Sequence, residues 1–427
     1  MPETVISLLS ESIFRNIKIV DSYLKANNLP GPSFDVDAPI FIDIGPDGEH
    51  VEEARVKALD GALELVDLLS GPMVALRPLT SGASLQAISR WDIANKVPIH
   101  GEVSFTELAR QCSVNAVDLR RVLRYAMCHH RLFHEPREEF VAHTLASRRL
   151  AEEPLLGDGL WLLADMTWAA TTRTVDALEK WQDQEPSHTA VALTMGKEAS
   201  TYELIQQEPE LAARFARAMT SVAKFSSRSS RLPRVNFVPT KPFQTLGTAT
   251  VVDIGGSRGT DAVLLAGKYP NLNFIVQDLP PMIAGAEAAV PPALRSRIRF
   301  APYSFFTPQT TVADAYVIKQ CFHNWPDHYC VRIIKNQIPA MRRGTKIIVI
   351  DSLLPPPGTM SLAAERMARA FDMMMLTQLN GREREAEDWR QIFRQADERF
   401  TITDMHPLAS PVDFGPSTGI IEVVWEG

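Results

Sequence analysis

A histidine and two carboxylates in the second half of the chain have the residue types that proton transfer requires. His323 stands in the segment Phe322-His323-Asn324-Trp325-Pro326. An imidazole with apolar neighbours can stay neutral near pH 7 and act as a general base. Asp351 and Glu383 follow, and either carboxylate could orient the imidazole or stabilise its protonated form. The alternative for both carboxylates is solvated surface charge. We predict that His323, Asp351 and Glu383 form a catalytic group.

A glycine-rich turn earlier in the chain marks a candidate cofactor site. It follows a β-branched run that ends at Asp253 and precedes a helical run from Asp261 to Lys268. Glycines let a ligand approach the backbone closely, and the N-terminus of a helix offers unpaired N–H groups. A glycine turn led by an aspartate suits a ligand with an amine and a carboxylate, such as S-adenosylmethionine. The three glycines are Gly255, Gly256 and Gly259.

Asp278 extends this candidate site toward a nucleoside. It lies 25 residues past Asp253, at the end of the next predicted strand, where a carboxylate can accept both hydroxyls of a ribose. The alternative is a cap before Pro280 and Pro281. The sequence has no GxxxxGK[ST] phosphate loop, which argues against a nucleoside triphosphate, and its GxxxG spacing departs from the GxGxxG of dinucleotide sites.

Short apolar runs from residue 248 onward predict the elements that must position these residues. Alternation of strands with helices is typical of a parallel doubly wound sheet, so we predict a Rossmann-like α/β domain over residues 248–427. The last two strands are expected to form an antiparallel edge pair. Because His323 follows the fourth strand, we expect it at the carboxyl edge of the sheet, where such folds bind ligands. The predicted strands are Thr250–Asp253, Phe274–Gln277, Ile298–Ala301, Ala315–Ile318, Lys346–Ile350, Phe400–Thr403 and Ile420–Trp425.

Three helical regions precede the sheet. Residues 1–83 predict two amphipathic helices that must bury their faces against a partner, and a second copy of the chain is the simplest one. Residues 84–150 have the helix, turn, helix and hairpin pattern of a winged helix. Residues 151–247 predict a helical connecting region that contributes to the substrate pocket. We therefore predict a homodimer with an N-terminal all-helical, winged-helix dimerisation domain.

A winged helix can also bind DNA, and Arg120, Arg121 and Arg124 could form the contacting helix of a metabolite-sensing regulator. The chain carries 44 Lys+Arg against 51 Asp+Glu, a net charge of −7 at pH 7. That balance disfavours an electrostatic grip on nucleic acid or on an anionic membrane. We favour a protein-interaction module and expect no nucleic-acid partner.

Targeting and metal signals are weak in the sequence. No apolar run approaches the roughly 18 residues that a membrane span needs, so no membrane partner is expected. The start lacks the pattern of a secretory signal, and the four cysteines form no CxxC pair, which favours reduced thiols in a cytoplasmic protein. His129, His130 and His134 cluster without a Cys or carboxylate at ligand spacing, so we predict no metal.

In combination, the motifs resemble the plant- and fungal-type small-molecule O-methyltransferases, over nearly the whole chain. His323-Asn324-Trp325-Pro326-Asp327 is similar to the family's His-[Asp/Asn]-Trp segment, whose histidine is the general base. Asp351 stands where plant members usually have Glu, and Glu383 matches the second acid that orients the histidine. The resemblance implies S-adenosylmethionine as the cofactor and methyl transfer to a hydroxyl of a phenolic, enolic or polyketide-like secondary metabolite.

The resemblance also assigns residues to the cofactor. Asp253 to Gly259 looks like the cofactor's glycine loop, Asp278-Leu279-Pro280 looks like the ribose-binding motif, and Lys319 stands at a basic position of the cofactor site. Ser304 replaces the Asp that commonly meets the adenine amine. The implied cofactor-binding residues are Asp253, Gly255, Gly256, Gly259, Asp278, Leu279, Ser304, Phe305 and Lys319.

A predicted helix before Glu383 offers a wall for the substrate. Phe371, Met374 and Met375 share one of its faces, and with Phe322 and Trp325 they are expected to line a pocket for a flat, apolar molecule. Methionine stripes are otherwise filler of a hydrophobic core, which is the alternative interpretation.

A second function is compatible with the same fold. A few fungal relatives of this kind catalyse dehydration or pericyclic ring closure, with the cofactor bound but not consumed. In that case Lys319 would polarise a substrate carbonyl. The appearance of S-adenosylhomocysteine together with product distinguishes methyl transfer from this alternative.

Overall fold

The computed structural model describes residues 4–40, 44, 48–75, 81–226, 241–408 and 418–427. The chain divides into two compact units, the first of Met1–Arg173 and Tyr202–Ser229 and the second of Thr174–Thr201 and Ser230–Gly427. No helix in the described ranges is both long enough and apolar enough to cross a bilayer. The four domains expected from the sequence remain a prediction.

Helices predominate among the described residues up to residue 226. Side-chain caps begin several of them: the Ser104 hydroxyl accepts the N–H of Glu107, and the Asn115 side chain accepts the N–H of Val117. The helices are α1 (Val5–Ala26), α2 (Glu49–Ser70), α3 (Pro72–Ala75), α4 (Ala83–Arg90), α5 (Phe105–Cys112), α6 (Ala116–His129), α7 (Leu145–Glu152), α8 (Pro154–Trp161), α9 (Trp168–Thr171), α10 (Thr174–Lys180), α11 (Ala190–Met195), α12 (Thr201–Gln206) and α13 (Pro209–Ser226).

The two helices predicted near the N-terminus are present as α1 and α2, and they pack against each other. Gly61 lies at their close approach, because a Cβ there would be 3.0 Å from the Ile13 side chain. Large apolar side chains stay in solvent on both helices: Phe14 is 64% exposed and Leu69 is 66% exposed. The homodimer that would cover such a surface stays a prediction.

The segment predicted as a winged helix contains α5, α6 and a small sheet. Strand β1 (Glu102–Ser104) pairs antiparallel with β2 (Phe140–Ala142), and His134 forms an isolated bridge to Ala142. The sequence pattern predicted a small hairpin between residues 132–135 and 139–142, and it did not indicate β1. Three residues without apolar alternation, as in β1, give no strand signal.

The arginines of α6 are paired with acidic side chains. Arg120 contacts Glu139, and Arg124 donates to both carboxylate oxygens of Glu135 at 2.9 Å. Their charge is therefore balanced locally, which favours the interpretation of this segment as a protein-interaction module. The absence of a nucleic-acid partner remains a prediction.

The second unit contains a seven-stranded sheet in the order β5-β4-β3-β6-β7-β9-β8. β3 to β7 are parallel, and β9 is antiparallel to both β7 and β8, so the predicted doubly wound sheet with a final antiparallel pair is confirmed. Its strands are β3 (Ala249–Ile254), β4 (Leu272–Asp278), β5 (Ile298–Pro302), β6 (Ala315–Lys319), β7 (Lys346–Ser352), β8 (Phe400–Pro407) and β9 (Thr418–Trp425). Its remaining helices are α14 (Lys241–Gln244), α15 (Thr260–Lys268), α16 (Pro280–Ile283), α17 (Asp327–Gln337), α18 (Leu362–Leu379) and α19 (Ala386–Ala396).

Both faces of the sheet are covered, which is why its strands are apolar without alternation. Successive residues point to opposite faces, so Val251 packs in the cluster that includes α15 and Val252 packs in the cluster that includes α17 and α19. The second cluster contains fully buried Trp389 and Phe322. The core therefore fixes the strands on which the candidate site stands.

The candidate site lies where the strand order reverses. From β3 the chain runs outward to β4 and β5, then restarts at β6 on the other side of β3. Lys319, the last residue of β6, pairs with Ile350, so the loop after β6 and Asp351 share one edge of the sheet. Gly255 allows the turn after β3 to meet that loop, because a Cβ there would be 2.7 Å from Cys321 Sγ. Folds of this type bind ligands at such a switch point.

Candidate active site

The imidazole of His323 lies beside two buried carboxylates. Nδ1 is 3.5 Å from Asp351 Oδ1 and 3.4 Å from Glu383 Oε1. The His323 side chain is 18% exposed, whereas the Asp351 side chain is fully buried and the Glu383 side chain is 3% exposed. No hydrogen bond from the described parts of the chain reaches Nε2, so this nitrogen is available to a ligand. The structure thus brings the three predicted residues together.

Asp351, at the end of β7, holds the backbone that carries His323. Its Oδ2 accepts the N–H groups of Cys321 at 3.0 Å, Phe322 at 2.8 Å and His323 at 3.4 Å. Its Oδ1 faces the imidazole and accepts the N–H of Ser352 at 2.8 Å. Hydrogen bonds to an ionised carboxylate are stronger than neutral ones, so one oxygen orders the loop while the other faces the ring.

Glu383 reaches the site through the turn that ends α18. Asn380 ends the helix in the left-handed conformation, with φ of 51°, and Gly381 follows. A Cβ on Gly381 would lie 2.0 Å from the carbonyl oxygen of His323, so a glycine is needed where the turn crosses the histidine loop. The N–H of Glu383 then donates to Asp372 Oδ1 at 2.9 Å. This turn sets the distance between Glu383 and the imidazole.

The electrostatics of His323 differ from the sequence-based expectation. Burial lowers the pKa of the imidazole, but Asp351 and Glu383 outweigh it and raise the pKa to about 9. The expected neutral ring among apolar neighbours is therefore wrong for the free protein, because carboxylates distant in sequence dominate. At neutral pH most of the free imidazole is protonated, and it accepts a proton only in its minor neutral form.

Asp253 supplies an unpaired acceptor beneath the glycine turn. Its Oδ2 is buried and has no hydrogen-bond partner among the described residues. Burial and the nearby charge of Asp261 raise the pKa of Asp253 to about 7, although Lys319 opposes the shift. Gly256 keeps the approach open, because a Cβ there would lie 2.4 Å from Oδ2. An unsatisfied buried oxygen of this kind fits the amine end of S-adenosylmethionine.

The predicted ribose position is ordered by the same turn. Asp278 Oδ2 accepts the N–H of Ser257 at 2.9 Å, and its Oδ1 accepts the N–H of Leu279 at 2.7 Å. Each oxygen keeps a further lone pair for a ligand hydroxyl. Gly259 begins α15 at a φ of 73°, and a Cβ there would be 2.9 Å from the Phe300 ring. The residues present therefore fit a ribose beside a helix N-terminus.

The predicted adenine position follows β5. The Ser304 hydroxyl accepts the N–H of Phe306 at 3.4 Å, and Phe305 meets Trp325 edge to face with ring centroids 6.0 Å apart. Ser304 offers a neutral oxygen where the resembled family commonly has a carboxylate. A hydrogen bond from an exocyclic amine is still possible there, without the strength that an ionised acceptor adds.

Lys319 is engaged by an acidic partner. Its Nζ lies 2.7 Å from Asp261 Oδ2, and its side chain is 9% exposed. The pair joins the end of β6 to the first turn of α15, across the switch point. The ammonium has further donors that a substrate carbonyl could meet, but its positive charge is already balanced by Asp261, which weakens its polarising effect.

The five residues predicted for the substrate pocket differ in how far they are buried. Trp325, Phe371 and Met374 are partly exposed, and Met375 is buried. Phe322 is fully buried, with its ring against Trp389 at a centroid distance of 5.5 Å. The expectation that Phe322 lines a pocket is therefore corrected: this ring packs in the core.

A cavity of about 370 Å³ lies beside the turn that carries Glu383. Its lining is mixed, with Trp181 and Leu376 next to several polar side chains. None of the five predicted pocket residues lines it, because the face of α18 that meets the cavity carries Asp372 and Leu376. The lining residues are Leu178, Trp181, Gln182, Asp183, Gln184, Asp372, Leu376, Asn380, Gly381 and Arg382.

Two further residues at the site were not predicted from the sequence. Gly381 contacts the histidine loop through its backbone, and Arg384 is fully buried directly after Glu383. A glycine just after a helix signals only a helix end. An arginine among charged neighbours indicates a solvated surface, so neither residue type gave a signal.

Comparison with known proteins identifies relatives over the whole chain. The model of the O-methyltransferase domain family matches residues 176–398. The O-methyltransferase pyvH of Aspergillus violaceofuscus is 42% identical over 98% of this chain and 98% of its own. The grayanic acid biosynthesis cluster O-methyltransferase of Cladonia grayi is 40% identical over 99% of this chain and 88% of its own. A solved structure described as a pericyclic reaction enzyme has a TM-score of 0.69 at 20% identity, over 97% of this chain and all of its own, which shows a shared fold alone.

Proposed function

This chain belongs to the family of S-adenosylmethionine-dependent O-methyltransferases, and from that premise we propose that it methylates a phenolic or enolic hydroxyl of a small secondary metabolite. His323 is the general base, and Asp351 and Glu383 stabilise its protonated form. The arrangement of one imidazole Nδ1 facing two buried carboxylates supports this assignment.

The residues of the glycine turn hold the cofactor. Asp253 pairs with the amine end, Gly255 and Gly256 let the ligand meet the backbone, and Asp278 accepts the ribose hydroxyls. When bound, S-adenosylmethionine supplies a methyl group on a positively charged sulfur, which an oxygen nucleophile can attack. The protein contributes the orientation of the two reactants and the removal of one proton.

The proton is taken up at Nε2 of His323. Because Nδ1 faces the two carboxylates, Nε2 is the nitrogen left to accept the hydroxyl proton of the substrate. The charge that forms on the ring is then balanced by Asp351 and Glu383. General-base assistance of this kind is worth roughly 10²–10⁴-fold in rate.

The pKa of His323 supports the class of acceptor. With the imidazole pKa raised to about 9, transfer from a phenol, whose pKa is about 10, is nearly balanced in free energy. An aliphatic alcohol is a far weaker acid and gives up its proton to the same base only uphill. We therefore propose phenols and enols as substrates rather than aliphatic alcohols.

The ring-closing alternative receives less support. Lys319, which would polarise a substrate carbonyl, is paired with Asp261 at 2.7 Å. The full-length relatives at 40% and 42% identity are named O-methyltransferases, whereas the pericyclic reaction enzyme shares only the fold at 20% identity. A homodimer and a cytoplasmic location belong to the same proposal.

The proposal is tested by mass spectrometry of purified protein with S-adenosylmethionine and paired panels of phenols and aliphatic alcohols. We expect phenolic products heavier by one methylene group, with an equal amount of S-adenosylhomocysteine. A product of unchanged mass, or one that has lost water, with the cofactor intact would refute methyl transfer. Equal rates for the two panels would refute the choice of acceptor.

The role of His323 is tested by His323→Ala. We expect a loss of roughly 10²–10⁴-fold in kcat with unchanged affinity for S-adenosylhomocysteine, measured by calorimetry. His328→Ala is the matched control, because His328 lies five residues further on and its side chain is 54% exposed. Near-normal activity of His323→Ala would remove His323 from the mechanism.

A further inference from the structure

Arg384 is a buried arginine that bonds to the same backbone as the catalytic group. Its side chain has no exposed surface. Nη1 donates to the carbonyl of Phe322 at 3.0 Å, and Nη2 donates to the carbonyl of Trp325 at 2.7 Å. Nε and Nη2 also donate to Asp327 Oδ1, at 3.0 Å and 2.8 Å. One guanidinium therefore holds both ends of the loop that contains His323.

The backbone of Arg384 is tied to the segment of Asp351. Its N–H donates to the Ser352 hydroxyl at 2.9 Å, and its carbonyl accepts the N–H of Leu354 at 2.7 Å. Arg384 also follows Glu383 directly in the chain. This residue thus connects the three segments that supply His323, Asp351 and Glu383, although it has no direct bond to the imidazole.

Only an arginine can make this set of contacts. The guanidinium presents five donors in a fixed planar fork, and here they reach one carboxylate and the carbonyls of Phe322, Trp325 and Arg382. A lysine at the same place offers a single flexible ammonium. A buried charge is tolerated when it has an opposite charge and hydrogen-bond partners nearby. Asp327, 2.8 Å from Nη2, supplies the opposite charge for Arg384.

We propose that Arg384 is a positioning residue of the methyl-transfer reaction, whose guanidinium fixes the spacing between His323 and the two carboxylates. The proposal rests on the assignment of His323 as the general base. A displacement of about 1 Å in such a group can reduce a rate by about 10²-fold. The structure therefore assigns to Arg384 an effect on turnover that exceeds its effect on cofactor binding.

Arg384 has an electrostatic effect that can be measured separately. The charged groups that face the imidazole are Asp351 from β7, Glu383 from the turn after α18, and Arg384 itself. Burial lowers the pKa of His323, the two carboxylates raise it, and the guanidinium lowers it. Removing the positive charge should therefore move the pKa upward, whereas a lysine keeps the charge and loses the fork.

Two variants separate position from charge. Arg384→Lys should lower kcat by about 10²-fold with unchanged affinity for S-adenosylhomocysteine. Because a wider spacing weakens the effect of Asp351 and Glu383 on His323, the midpoint of its pH profile should not rise. Arg384→Gln should lose a similar factor in kcat and have a midpoint above that of Arg384→Lys, because the positive charge that lowers the His323 pKa is gone. The midpoint is also read without turnover, from the pH dependence of the His323 ring signals in protein labelled at histidine.

Arg297→Lys is the matched control for a purely structural arginine. Arg297 lies in the loop before β5, at the other end of the sheet from the candidate site. It donates to the carbonyls of Ala266, Tyr269 and Leu272. We expect this control to lower the melting temperature and to leave kcat unchanged. If Arg384→Lys lowers the melting temperature in the same way and keeps kcat, the proposal is overturned.

A third variant applies if both Arg384 variants fail to fold. Asp327→Asn leaves the guanidinium in place and weakens its carboxylate contact, together with the ion pair between Asp327 Oδ2 and Arg382 Nη1 at 3.1 Å. The Asp327 side chain is 36% exposed. We expect a loss of roughly tenfold in kcat with unchanged cofactor affinity, whereas full activity overturns the proposal. An active His323→Ala would refute the proposed base itself. An inactive His323→Ala together with a fully active Arg384→Lys would refute only the positioning role.

Discussion

Replacing Glu383 with glutamine tests how the two carboxylates act on His323. Burial alone would lower the pKa of the imidazole, yet the carboxylates raise it from 6.5 to about 9. This rise corresponds to about 3 kcal/mol in favour of the protonated ring. The two carboxylates lie at similar distances from Nδ1, 3.4 Å and 3.5 Å. Because burial opposes them, each contributes more than half of the net rise, so Glu383→Gln should leave a pKa of about 7.5.

The expected signature is a change in the pH profile rather than a uniform loss. At pH 7 about 1% of the wild-type imidazole is neutral, against about a quarter for a pKa of about 7.5. At acidic pH a larger fraction of the variant's imidazole is neutral than in the wild type. This imidazole is a weaker base, so at alkaline pH, where both are neutral, the variant is slower by roughly fivefold to tenfold. The ratio of variant to wild-type rate should therefore rise by more than about tenfold between about pH 9.5 and about pH 6.5.

The assay is kcat/KM for a phenolic acceptor from about pH 6 to about pH 10, because this parameter reports the free enzyme. Glu387→Gln is the control: it removes a carboxylate on α19 that is 59% exposed and pairs with Arg390. The wild-type rate should rise about tenfold per pH unit up to about pH 9. A folded Glu383→Gln variant with the wild-type midpoint would show that Glu383 does not set the charge of the imidazole, and the reasoning would be refuted.

Two further substitutions test the turns that form the site. Gly381→Ala places a methyl group 2.0 Å from the carbonyl oxygen of His323, so we expect about 10²-fold lower kcat with normal cofactor affinity. Gly157→Ala is the control, because a Cβ there meets nothing within 4 Å. Equal kcat values for the two variants would contradict the close contact between Gly381 and the histidine loop. Asp253 has a pKa of about 7, so the affinity for S-adenosylmethionine should fall as the pH drops below about 7, and Asp253→Asn should bind more weakly and without this dependence. Calorimetry measures the affinity of the wild type and of Asp253→Asn for S-adenosylmethionine. A wild-type affinity that is independent of pH would contradict the pairing of Asp253 with the amine of the cofactor.

The sheet could be predicted from the sequence because its strands are short runs of β-branched residues with both faces buried. All seven predicted runs fall within β3 to β9. The antiparallel character of the last two was also indicated, but not the insertion of β9 between β7 and β8. Strand order depends on contacts between residues far apart in sequence, and local periodicity does not report those contacts.

The site shows the same division between local and distant information. His323, Asp351 and Glu383 could be singled out in the sequence because each stands at the end of an element and carries a reactive side chain. The charge of His323 could not be read locally, since its neighbour Phe322 turns into the core and the deciding carboxylates come from other segments. Arg384 was missed for the same reason, because only the folded chain buries it against Asp327 and three carbonyls.

The place of β9 in the sheet has a consequence for synthesis of the protein. β9 leaves the ribosome after the other six strands of this sheet, yet it lies between β7 and β8 and contributes the fully buried Ile420, Ile421 and Val423. Until β9 has been synthesised, β8 has no strand beside it and one edge of β7 is unpaired. An unpaired strand edge favours association with other nascent chains. Asp351 pairs with Gly419 of β9. Truncated translation products should therefore expose the open edge beside Asp351 and depend on chaperones, whereas the full chain closes the sheet and the active site together.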